Sequence, residues 1–125
     1  DMRAFRIPIF VLLLLLLFSL YANVSLSRRC NEWAAQLDDV QLLLDRQESP
    51  SGQLENLYAS WQSQQGWLHI LIHHDVLNDT EALLHRCMTL ASAGTLDELP
   101  SELAELRVQF RLLAEMQHFS LKNIL

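Results

Sequence analysis

The stretch "RIPIFVLLLLLLFSLYANVSLSRRCNEW", residues 6–33, decides what kind of molecule this chain makes. Residues 7–26 contain no charge, and fourteen of the twenty are Ile, Leu, Val or Phe. As a helix at about 1.5 Å per residue they extend about 30 Å, the thickness of a bilayer's hydrocarbon core. Their transfer into lipid is favourable by about 4–8 kcal/mol at most. Pro8 falls in the first turn, where its missing N–H is harmless. Leucine at six consecutive positions, 12–17, covers every face of a helix, which a buried helix of a soluble domain has no reason to do. A signal peptide is the competing reading: "MRAFR" is a basic start and Ser25-Leu26-Ser27 is a small-x-small site. The apolar run exceeds the usual 7–15 residues of such a core, which favours a retained single-pass anchor. Arg28 and Arg29 before Cys30 exclude a lipoprotein acylation site.

Charge divides the chain at the same place. Residues 1–29 carry four Arg against Asp1, a net of +3, and residues 30–125 carry 5 basic and 14 acidic side chains, a net of −9. The expected organisation is therefore a tail and anchor at 1–29 and a folded domain at 30–125. An acidic domain is repelled by phosphate backbones, so nucleic acid is not an expected partner. Two arginines flank each end of the apolar run, so the positive-inside count is a tie. The short N-tail and acidic domain favour a cytoplasmic N-terminus and an extracytoplasmic domain at the cell membrane.

Beyond residue 29 the apolar spacing is helical and sustained period-two alternation is absent. Trp33, Leu37, Val40 and Leu44 continue the membrane helix. "RQESPSGQ" (46–53) breaks it with Pro50 and Gly52. A second helix from Ser49 or Ser51 to about His73 carries Leu54, Leu57, Trp61, Leu68 and Ile72 on one face, with Gly66 expected to admit a neighbouring helix. Asp75, or Asn78 with Glu81, is the expected cap of a third helix bearing Leu77, Leu84 and Ala91 and ending at Gly94. Leu99, Leu103, Leu106, Phe110 and Leu113 form the seam of a fourth. The expected fold is all-α: an N-terminal transmembrane helix continuing into an antiparallel bundle of four helices, counting the extension of the membrane helix. This topology returns the His73-His74 turn and the tail "HFSLKNIL" (118–125) towards Arg28, Arg29 and Cys30.

Chemistry-bearing patterns are sparse. His69 and His73 are four apart, and the topology would add His118; these are the candidate ligands of a metal or pH-sensitive site, against the plainer reading of a polar flank with Gln62. The expectation is no metal and no cofactor. Cys30 and Cys87 are expected too far apart in height for a disulfide, with Cys87 filling the core. Cys30 is either idle or open to acylation or cross-linking. Asn78-Asp79-Thr80 matches a glycosylation acceptor. A nucleophile elbow, a phosphate loop and triad spacing are all missing from the sequence, and no catalytic residue is expected. Trp67 at the rim of its stripe is a candidate contact to another membrane protein or a second copy, and the returning tail with Phe119, Leu121, Ile124 and Leu125 either makes such a contact or packs on the bundle's own base.

The anchor, the Trp-bearing juxtamembrane helix, "LYASWQSQQGWLHILIHHDVLND" (57–79) and the ending "SLKNIL" (120–125) together resemble an uncharacterised bacterial family, domain of unknown function 4363. The resemblance spans essentially the whole chain. It implies a spore-forming Gram-positive setting, with family genes near those of sporulation membrane channels and of another uncharacterised membrane protein. An accessory role in a spore or forespore membrane assembly would follow. It assigns no residue a role, and an acidic residue usual near His73 is replaced here by histidine.

Overall fold

In the computed structural model the backbone is described for residues 2–124 and the side chains for residues 3–116. Among the described residues there are five helices and no strand. The first, α1 (Met2–Asp45), is one unbroken helix of 44 residues, about 66 Å at the usual rise. Its first half is an exposed apolar rod; its second half is a wall of the bundle. It stops where Gln47 enters the left-handed region at φ 60°, with Glu48 N–H bonding Leu43 O at 2.8 Å and Gln47 N–H bonding Leu44 O at 3.0 Å. These are the paired bonds of a Schellman ending. The expected breakers act later: Pro50 is the N-cap of α2 (Ser51–Ser63), and Gly52 lies inside it.

The expected second helix is two. α2 gives way at Gln64 (φ −103°, ψ 9°), and α3 (Gln65–Leu71) follows directly. Gly66 does not serve a close approach, because a Cβ there meets nothing within 4 Å. Ile72 and His73 are extended, so the helix ends before His73 rather than at it. α4 (His74–Ala93) is capped by neither expected arrangement. The His73 side chain accepts from Asp75 N–H at 3.4 Å, and Asn78 and Glu81 lie within the helix. Gly94 ends α4 at φ 74°, as its position suggests. α5 (Leu99–Ile124) then runs back along α1.

The α1–α5 pair is antiparallel: Asp38 meets Arg107 at 2.8 Å near the top, Trp33 meets Phe110 in the middle, and Ser27 donates to Ala114 O at 3.4 Å near the base. Core residues are those of the periodic stripes. Trp33, Leu37, Val40, Leu54, Leu57, Trp61, Leu68, Leu84, Leu99, Leu103, Leu106, Phe110 and Leu113 are all fully buried. At the centre the rings of Trp33, Trp61 and Phe110 sit 5.4–6.0 Å apart, joining α1, α2 and α5. Trp33 Nε1 donates to Ser60 Oγ at 2.9 Å, whereas Trp61 Nε1 is buried without a partner.

Candidate functional site

The base of the bundle holds the unusual features. There the core continues below Cys30 into the apolar stretch: Leu26, Asn23 and Ala22 are buried, and Leu20 and Ser19 half-buried. Asn23 is satisfied within α1, donating to Ser19 O at 2.8 Å. Leucines stand on all sides of residues 12–17, so no facial pattern there marks where the bundle begins. Trp67 on α3 is half-buried with its ring 5.4 Å from that of Phe18, so its neighbour is the chain's own apolar helix. Between α1 and α3 a cleft of about 240 Å³ is lined by Tyr21, Ser25, Arg29, Gln64 and Trp67, among others.

The histidines are not arranged as their spacing suggests. With the helix ended at Leu71, His73 leaves the face of His69 and caps α4 beside Asp75, 3.8 Å away and highly exposed. The ring of His69 instead faces that of His74 at 5.6 Å. Among the described residues no group of three or more His, Cys, Asp or Glu side chains is placed to hold a metal ion. His118, Phe119, Leu121 and Ile124 lie outside the described side chains, and Leu125 outside the described residues altogether.

Cys30 and Cys87 are both free and fully buried. Burial pushes each thiol up to about 12; at Cys87 the carboxylates of Glu102 and Glu105 add to it, and Arg86 opposes them. Neither thiol is therefore a nucleophile at neutral pH. Thr80 is buried inside α4, donating to Val76 O at 2.8 Å and accepting from Gln109 Nε2 at 3.0 Å. The acceptor pattern containing it is thus part of the α4–α5 junction.

One surface escaped the sequence reading. Val108, Leu112 and Met116, at steps of four on α5, are 58%, 48% and 44% exposed. They lie opposite the leucine seam and form an apolar stripe on an otherwise acidic bundle. The spacing was legible, but the stronger seam of the same helix masks it.

The model of the family described as domain of unknown function 4363 matches residues 20–124, and the chain belongs to that family. The match starts at Leu20, within a turn of where the bundle's burial starts. No curated protein and no solved structure matches the chain.

Proposed function

We propose that this is a single-pass membrane protein whose acidic helical bundle is an accessory or structural subunit, acting by contact with another membrane protein rather than by catalysis. The observation that carries the reading is the Val108–Leu112–Met116 stripe on a bundle whose core is already complete. A contiguous exposed apolar row rimmed by polar residues is the kind of surface that takes a protein partner. Support for the anchor comes from α1, which is long and apolar enough to cross a membrane. We place the N-terminus in the cytoplasm and the bundle outside. The setting we propose is a sporulation membrane assembly, with the tail residues Phe119, Leu121, Ile124 and Leu125 extending the contact.

The test is what co-purifies with the full-length protein from native membranes in mild detergent. A defined second membrane protein, lost from the Val108→Glu/Leu112→Glu variant with helicity unchanged, is the expected result. A lone monomer, or a partner indifferent to the stripe, would overturn the contact reading. The facing rings of His69 and His74 favour one rival, a pH- or metal-responsive domain. Bundle stability that is flat between about pH 5 and 8 and unmoved by zinc removes it.

A further inference from the structure

The length of the apolar helix and the height of the bundle do not fit unless the two overlap. Resting on the membrane-spanning reading above, α1 has to offer about 20 residues to the hydrocarbon core. Burial by the rest of the chain already begins at Ser19, leaving residues 7–18, twelve residues or about 18 Å, as a free rod. The remaining 12 Å or so of bilayer must surround part of the bundle.

The base is built for that. Residues 56–74, nineteen in a row, contain no Asp, Glu, Lys or Arg, although 19% of the chain is charged. This stretch includes all of α3. Ile70 is 75% exposed there, and Trp67, one turn before it, lies against Phe18 inside the apolar run. Polarity rises along the adjoining face of α1 in the order Phe18, Tyr21, Ser25, Arg29, at steps of three and four residues. That is the order of acyl chain, interface and phosphate met on leaving a bilayer, with Tyr and Trp at the boundary. Asn23, the buried polar side chain of this zone, is satisfied along its own helix by donating to Ser19 O, as a polar group at membrane depth has to be. Past Ala114, α5 continues to Ile124; between Glu115 and Lys122 its stretch "MQHFSL" (116–121) is uncharged apart from histidine.

We propose that the base of the bundle is sunk in the bundle-side leaflet of a phospholipid bilayer. α3 acts as an interfacial helix: Trp67 and Ile70 enter the acyl region, and the cleft beside them opens from Tyr21 in that region up to Arg29 at headgroup depth, where Arg29 meets lipid phosphate. The bilayer is thus a second binding partner of the folded domain and not only the medium of its anchor. It fixes the height and tilt at which the α5 stripe is presented.

Spin labels at single introduced cysteines test this, since Cys30 and Cys87 are buried and unreactive. The full-length protein in phosphatidylcholine vesicles is labelled at Leu13→Cys, Ile70→Cys or Leu96→Cys, sites in the rod, in α3 and in the loop at the far end of α4. Accessibility to oxygen and to a water-soluble nickel chelate is then compared. Labels at residues 13 and 70 are expected to be oxygen-rich and shielded from nickel, with an oxygen-to-nickel ratio severalfold above that at residue 96. A label at 70 that behaves like the one at 96, while 13 remains lipid-like, overturns the sunken base and leaves the anchor standing. A nickel-accessible label at 13 instead defeats the anchor reading. A second measurement does not depend on the Ile70 variant folding: acyl-brominated phosphatidylcholine should quench the wild type and lose most of that effect in Trp67→Phe. Equal quenching in the two proteins counts against the proposal.

Discussion

At the scale of residues, the two long helix endings make a matched pair. α1 and α4 both stop in Schellman geometry, α4 with Gly94 at φ 74° and α1 with Gln47 at φ 60°. A Cβ in the left-handed region costs about 1 kcal/mol, so Gln47→Gly should raise stability by about 0.5–1 kcal/mol and Gly94→Ala lower it by about 1 kcal/mol. Chemical denaturation of the detergent-solubilised protein separates these signs. The first ending was hidden from the sequence, because glutamine does not announce a positive φ, whereas Gly94 did. A second contrast lies in the aromatic centre. Trp33→Phe removes the indole N–H bonded to Ser60, and Trp61→Phe removes an indole N–H that has no partner. The ring loss is alike in both, so Trp33→Phe should cost about 1–2 kcal/mol more than Trp61→Phe, an order that equilibrium unfolding can reverse or uphold. The thiols set a pH limit. Each is held near 12 in the fold against about 9 as its ordinary value, so between those values the unfolded chain has lost protons that the folded chain keeps. Stability contributed by the neutral buried thiols is full below pH 9 and falls as pH rises towards 12. Cys87→Ala should flatten part of that decline, and a slope unchanged by it would assign the decline elsewhere.

Among the elements, the partnership of α1 with α5 matters most. It brings Trp33 against Phe110 and continues from Asp38–Arg107 down to Ser27–Ala114. The ion pair, with Asp38 still open to solvent, contributes little, about 1 kcal/mol, whereas Phe110→Ala should cost about 3–5 kcal/mol by opening the junction of three helices. Thermal unfolding followed by circular dichroism would show whether the ring or the ion pair holds the helices together. The apolar faces were legible because a period of 3.6 residues survives in every long helix: each residue of the expected seam 99–113 is fully buried. Joints were less so. Gln64 is not a breaker by type, so nothing in the residue types marks the interruption between α2 and α3. Ending α3 at Leu71 in turn separated His69 from His73, so the candidate ligand pair depended on a helix boundary that spacing does not reveal.

For the whole molecule, the consequential feature is that one helix is both rod and wall. The exposed rod, the uncharged base and the acidic upper bundle follow one another along α1, and no linker separates anchor from domain among the described residues. A bundle joined this way has a fixed height above the rod, so on the proposed reading the α5 stripe is offered sideways to a membrane neighbour instead of swinging on a tether. The uniform leucines of residues 12–17 announced the rod but could not mark where it becomes wall, since uniformly apolar sequence carries no facial information. The direct measurement is the distance between spin labels at Leu13→Cys and Leu42→Cys in the full-length, membrane-embedded protein. Both positions are about half exposed, and 29 residues of helix return them to the same side, about 44 Å apart. A narrow distribution centred near that distance is expected of a single rigid rod. A broad or markedly shorter one would mean a hinge between anchor and bundle, and would contradict both the fixed height and the sideways contact derived from it.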